Sequence, residues 1–193
     1  MRDLATFGRQ AIASLAYAGA AANAAAGPEE ALWAITETLP KLLGDREAHL
    51  VPGNLERGER QQFASCCFMV TLDCRSMLLA APVNFGPRQR HTKIDIGLGH
   101  PGHVLATKQS MLLTNTDEHR SFVKILETFR AGSAVFAPLM WKSEALGVIV
   151  CAAQARNTMG EPDLAAHVAF SHLAAAQWVA HGGADYLRRL VLT

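Results

Sequence analysis

Residues 133–141 and 145–153 are apolar runs separated only by Lys142, Ser143 and Glu144. No other feature limits the fold so sharply. Two runs of strand length around a tight polar turn make an antiparallel hairpin, and a hairpin needs further strands or helices laid against it to be stable. The chain supplies both. Residues 65–73 and 76–83 flank a short polar turn at Cys74-Arg75 and read as a second hairpin. Residues 91–96 alternate as His-Thr-Lys-Ile-Asp-Ile, which is the period of a strand, and residues 111–114 form another short one.

Helical periodicity brackets these strands. Across residues 3–26 a narrow, alanine-rich stripe runs through Leu4, Phe7, Ala11, Leu15, Ala18 and Ala22. Gly27-Pro28 ends that helix, and Pro28 with Glu29 and Glu30 suits the first turn of the next. Leu32, Ile35, Leu39 and Leu43 line one side of it, with Pro40 as an interruption and Gly44 as a stop. Residues 101–107 form a short helix, and residues 115–132 are polar around a helical core of Phe122, Ile125, Leu126 and Phe129. Pro162 and Asp163 open a long terminal helix carrying Leu164, Val168, His172, Ala175 and Val179, which Gly182-Gly183 break.

The order predicts an α+β fold: a central antiparallel sheet, with the N- and C-terminal helices on one face and a helical crossover on the other. Residues 1–27 are expected to form an interface helix, residues 28–183 the folded domain and residues 184–193 a C-terminal tail. Residues 45–62 read as a solvated loop or lid. Gly97 and Gly99 permit backbone angles or close approaches that a side chain would block. Gly147 lets an adjacent element pack closely, and Pro138 in a strand demands an edge or a bulge, the bulge being preferred.

Half of the residues are hydrophobic, 18% are charged and mean hydropathy is +0.11. That composition excludes wholesale disorder and implies apolar surface beyond one core, for which a homodimer interface along the alanine stripe is the expectation. With a formal net charge of +1, no global field draws the chain to nucleic acid or to a membrane. No apolar stretch reaches the ~18 residues of a membrane span, and the N-terminus lacks the pattern of a signal peptide. A cytoplasmic protein is expected. Cys66, Cys67, Cys74 and Cys151 fall in stretches that read as strands and form no CxxC pair, so they behave as small buried hydrophobes.

Ile96-Gly97-Leu98-Gly99-His100-Pro101-Gly102-His103-Val104-Leu105-Ala106 resembles the strand, glycine turn and short helix of the GAF family. Met111–Thr116 follows where that family places its next strand. Ser133–Leu139 and Leu146–Ile149 resemble its central hairpin, and the likeness runs over residues 28–181. It implies a PAS-like sensory domain that binds a small molecule between the sheet and the crossover of residues 97–132. The expected lining is Val70, Leu79, Ile96, His103, His119, Phe122 and Phe136, mainly apolar with a few polar groups. A 193-residue chain of this kind leaves no room for an output domain, so a separate signalling partner is expected.

Two other readings stay open. His91, His100, His103 and His119 each offer an axial ligand for haem, as in haem-binding members of the family; the cofactor is otherwise unknown. Cys66, Cys67 and Cys74 lie close in sequence, with Cys67 and Cys74 able to face each other across the hairpin. A thiol enzyme of the free methionine sulfoxide reductase type would use such groups, although their spacing departs from its pattern. The bilin-attachment cysteine and the cyclic-nucleotide signature of the family are missing. The runs Glu56–Arg60 and Arg88–Lys93 read as solvated.

Overall fold

The computed structural model describes residues 3–119 and 129–191. Six antiparallel strands form one sheet in the order β3-β2-β1-β6-β5-β4. They are β1 (Phe63–Val70), β2 (Ser76–Val83), β3 (Lys93–Asp95), β4 (Met111–Leu113), β5 (Ser133–Trp141) and β6 (Glu144–Ala153). The helices are α1 (Leu4–Asn23), α2 (Pro28–Thr36), α3 (Leu39–Leu42), α4 (Gly99–Thr107), α5 (Glu161–Ala180) and α6 (Gly183–Val191). On one face, Cys67, Met69, Leu78, Val135, Ala137, Ile149 and Cys151 pack under α1, α2, α3, α5 and α6. On the other, Cys66, Phe68, Leu79, Ala134, Phe136 and Val150 pack with Ile94 of β3 and Val104 of α4. Central strands buried on both faces read as unbroken apolar runs, which is why the β5–β6 hairpin was so visible.

Two expectations about single residues hold with their physical cause. A Cβ on Gly147 would lie 2.2 Å from the Phe68 carbonyl oxygen, so only glycine lets β1 and β6 approach at that rung. The β5–β6 register shifts between Pro138 and Met140. This is the bulge that a strand proline requires, placed beyond Phe136 where pairing with β4 has ended.

The helical layer is fastened by buried carboxylates. Asp163 accepts from the Gly44 N–H at 2.8 Å and from the Gly160 N–H at 3.0 Å. It therefore caps α5 and pins the end of α3, where Gly44 takes φ +86. Glu29, in the first turn of α2, is only 3% exposed. Its Oε1 accepts from Arg90 Nε at 3.1 Å and from the Ala81 N–H at 3.2 Å, and its Oε2 from Arg90 Nη2 at 2.9 Å. His91 Nε2 stands 2.8 Å from Oε2, and the Tyr186 hydroxyl donates to the same oxygen. The Ala81 N–H is available because β2 bulges there, with Ala81 at φ +48.

Several expectations need correction. Of residues 184–193, expected as a tail, 184–191 belong to α6 (Gly183–Val191), whose Leu187 is buried. The core stripe of α5 runs through Asp163, His167, Phe170, Ala174 and Trp178 rather than through His172 and Val179, which are exposed. Alanine fills so much of that helix that hydrophobicity alone hardly marks a face. Cys74 sits exposed in the β1–β2 turn at φ +54, and Cys67 pairs with Ala80, so the two do not face each other. Neither charged run is simply solvated. Arg90 and His91 clamp Glu29, while Glu56 and Glu59 pair with Arg156 and Arg130. The core of the 115–132 segment lies largely outside the described residues.

His167 is wholly buried, with Nε2 3.0 Å from the Ile149 carbonyl oxygen and Nδ1 without a partner among the described residues. Burial lowers its pKa to about 4. For Glu29 burial pushes upward, but Arg90, Tyr186, His91 and the Ala81 N–H together hold its carboxyl down at about 2. Both shifts have the same consequence, because the unfolded chain takes up each proton first. Stability is expected to fall from about pH 6.5 to 4 through His167, and from about pH 4.5 to 2 through Glu29. Each contributes on the order of 3 kcal/mol when fully titrated. Urea midpoints measured across this range test the expectation: His167→Leu should abolish the upper segment and keep the lower. A dependence unchanged by that substitution would refute the assignment.

Candidate functional site

The face away from α1 and α5 has the composition of a ligand surface. Strand alternation sends Cys66, Phe68 and Val70 of β1, Met77 and Leu79 of β2, and Phe136 and Val148 of the central hairpin to that side. Edge strands β3 and β4 add Ile94 and Leu113, and α4 closes part of it with Val104. Between Asp95 and α4 the chain turns so tightly that a Cβ on Gly102 would lie 2.4 Å from the Gly97 carbonyl carbon. Gly99, at φ +61, begins the helix. These glycines fix α4 close over the sheet and place His100 at its first turn.

His100 is the polar group most deeply set in this face. It is buried, stacks on the Phe136 ring at a centroid separation of 5.8 Å and meets the His119 ring edge-on at 5.9 Å. Burial lowers its pKa from the usual value, and the neighbouring His119 and His103 add to that shift. Near neutral pH the ring is therefore an uncharged imidazole, able to donate one hydrogen bond and accept another.

Of the residues expected at the site, Val70, Leu79, Ile96 and Phe136 lie in this one apolar cluster. His119 is exposed at the end of the 3₁₀ turn Thr116–Glu118, with its ring against His100. His103 is exposed on α4, a helical step away from the buried His100 and Val104. Phe122 lies outside the described residues. His91, one of the four candidate haem ligands, is bound to Glu29 beneath the helical layer instead.

Sequence reading named His100 at this face only as one of four candidate haem ligands, and it passed over Phe68. Phe68 was recoverable, since it lies two positions from Val70 and must share its face. His100 carried only the weaker signal of a histidine beside a glycine turn.

A network of ion pairs joins the residue 56–59 loop to the chain on either side of β5 and β6. Arg130 grips Glu59 at 2.8 Å and reaches Asp117 at 3.4 Å, and Arg156 bonds Asp117 and Glu56. The Arg130 bond holds the Glu59 carboxyl down at about 2 against its modest burial. The Arg130–Asp117 pair thus joins residues that lie thirteen positions apart in the chain. The cysteines contrast with this polar frame. Burial raises the Cys66, Cys67 and Cys151 thiols well above the ordinary range. Cys66 alone of these belongs to the crossover-facing cluster.

The glycine turn and the two-faced antiparallel sheet define an α+β domain, and the family model of the GAF domain matches residues 27–178. The chain belongs to the GAF domain family. No curated protein sequence matches it. Among solved structures it is similar to the GAF domain of a phosphoenolpyruvate-protein phosphotransferase from Coxiella burnetii, at TM-score 0.73 and 19% identity, covering 91% of this chain and 96% of that one. The corresponding domain from Acinetobacter gives TM-score 0.70 at 15% identity, covering 90% and 94%. A free methionine-R-sulfoxide reductase from Neisseria meningitidis, solved with its substrate, gives TM-score 0.70 at 15% identity, covering 95% of each chain. At such identities the likeness is one of fold, and one fold hosts both kinds of protein.

The His100 ring supplies a direct check on this geometry. Its titration, followed by NMR of the ring protons, is expected to have a midpoint below 6.5. Phe136→Ala should move that midpoint upward by letting water reach the ring. A midpoint at or above 6.5 in the parent protein would contradict the buried placement.

Proposed function

We propose that this GAF domain is a small-molecule-binding sensory module that signals through a separate partner protein, and that its ligand sits on the crossover-facing side of the sheet. The observation that carries the reading is the pairing of buried Phe136 with a neutral His100 on an otherwise apolar surface. Such a surface suits a compact organic ligand with an apolar body and one hydrogen-bonding edge. Val70, Leu79 and Ile96 would hold the body, and His100 with His119 would orient the polar edge.

The reductase reading is supported by similarity to solved free methionine-R-sulfoxide reductases, the Neisseria enzyme among them. Against it stands the chemistry of the thiols. A thiolate is the reactive form, and the one cysteine in the crossover-facing cluster, Cys66, is fully buried with a raised pKa. Cys74 is exposed, but in the β1–β2 turn.

Native mass spectrometry of freshly purified protein is the deciding measurement. A retained small molecule is expected on the parent chain and is expected to be lost in Phe136→Ala. A Soret band would show instead that haem occupies the site. Only Cys74 should react rapidly with a thiol reagent in the folded state, and no thiol-dependent reduction of free methionine sulfoxide should be measurable. Turnover that disappears in Cys66→Ser would overturn the sensory reading.

The alanine stripe expected at a homodimer interface packs instead into the chain's own core through Phe7, Ala18 and Ala22; Ile12 and Tyr17, each 72% exposed on α1, are the residues proposed to meet a second copy. Light scattering is expected to report a dimer that Ile12→Asp with Tyr17→Asp converts to a monomer. A monomeric parent chain at high concentration would rule the interface out.

A further inference from the structure

The attachment of α6 differs from that of the other helices. It follows Gly182, whose φ of +73 is a conformation glycine adopts freely. Gly183 then packs so closely on Trp178 that a Cβ there would lie 2.1 Å from Cε2 of the indole. Among the described side chains of α6, Leu187 is the only large apolar one that is buried, and Ala184, Asp185, Arg188 and Arg189 face solvent. Under the helix, against the sheet edge, lies a cavity of about 170 Å³ bordered by Leu72, Leu78, His91, Lys93, Leu187 and Leu190. A space that could hold several waters forfeits much of the dispersion a close-packed helix would gain. The polar bond from Tyr186 to Glu29 therefore carries an unusual share of the attachment.

That bond is joined to the crossover face by a short covalent path. Arg90 and His91, which hold Glu29, are followed by Thr92 and then by the three-residue edge strand β3. The backbone of Leu79 secures both ends of this step: its oxygen accepts from the His91 N–H at 2.8 Å and its N–H donates to the Thr92 oxygen at 2.9 Å. The side chains of Leu79 and of Ile94 in β3 point into the crossover-facing cluster. His91 itself sits at φ +65, a strained setting for a side-chain-bearing residue. One loop thus touches the candidate ligand face at one end and the Tyr186 acceptor at the other.

We propose that α6 is a hinged strap whose docking is controlled from the crossover face. Movement of β3 and Leu79 shifts Arg90 and His91 away from Glu29, Tyr186 loses the arrangement that receives its hydroxyl, and α6 swings out about Gly182. Opening uncovers Leu78, Leu187 and Leu190 as an apolar surface for a protein partner. The strap stands on its own contacts; its control rests on the ligand face proposed above.

Hydrogen exchange read by mass spectrometry on the full chain tests both halves without a ligand. In Tyr186→Phe, residues 183–191 are expected to exchange at least ten-fold faster while β1 and β6 keep their protection. Ile94→Ala should loosen the same residues selectively. Leu113→Ala, in the same cluster but at the opposite sheet edge, should not. Unchanged exchange of α6 in Tyr186→Phe, or an α6 already unprotected in the parent chain, overturns the strap. Equal loosening by Ile94→Ala and Leu113→Ala, or loosening by neither, overturns its control. Ile94→Val serves if the alanine variant does not fold. Ligand retention by native mass spectrometry reports separately on the ligand face, so the two failures are distinguishable.

Discussion

Glu29 is a carboxylate removed from water at the meeting point of α2, the bulge of β2, the β2–β3 loop and α6. An isolated buried charge costs several kcal/mol, and only well-aimed donors offset it. Those donors come from positions far apart in the chain. Arg90 supplies a two-pronged guanidinium that also lies over the Trp33 ring at 4.7 Å. Satisfying one side chain therefore fixes where α2 sits on the sheet, why β2 must bulge at Ala81 and where the C-terminal helix comes to rest. Neighbouring bonds follow the same plan. Thr36 Oγ1 donates to the Ala81 carbonyl oxygen at 2.9 Å, and Trp33 Nε1 donates to that of Pro82 at 3.3 Å.

The sheet divides the molecule's tasks between its faces. The helical side is sealed by Leu32, Ile35, Leu39 and Phe170, each fully or almost fully buried. The opposite side is covered by one short helix, two three-residue edge strands and the crossover. Fewer packed contacts and more backbone held by turns make a region easier to open. A ligand surface belongs where opening is inexpensive, and the hairpin of β5 and β6 gives it a rigid floor.

Legibility in the sequence followed the range of the physics involved. Local signals were readable: the Lys142–Glu144 turn, the glycines before α4, the Pro138 bulge and the helix start at Pro28. Val70, Leu79, Ile96 and Phe136, expected together from the family resemblance, do lie in one apolar cluster. What escaped was set by contacts distant in sequence. Nothing near Arg90 or His91 announces that their acceptor lies some sixty positions earlier, so a basic run looked solvated. Glu56 and Glu59 looked solvated for the same reason. The tail became a helix because Tyr186 and Leu187 find partners on α2 and α5 (including Trp178, whose ring meets Tyr186 edge-on at 6.0 Å). In α5, alanine on every side hid the true face, and nothing in the local sequence singled out the buried His167.

The contrast between sensor and reductase turns on groups rather than on topology. Solved relatives of both kinds superpose on this chain about equally well, so the fold cannot choose between them. The proposal of a sensor therefore rests on the side chains of the crossover face. A cysteine that is to attack a sulfoxide must be exposed enough to reach it and acidic enough to ionise, and burial works against both. An imidazole kept neutral beside an aromatic ring suits reversible recognition, since it offers a donor and an acceptor without the desolvation cost of a charge. The same face is linked through β3 and Leu79 to the buried carboxylate that holds α6. A binding surface joined to a lightly packed helix would be suited to reporting occupancy, which is the reading proposed above.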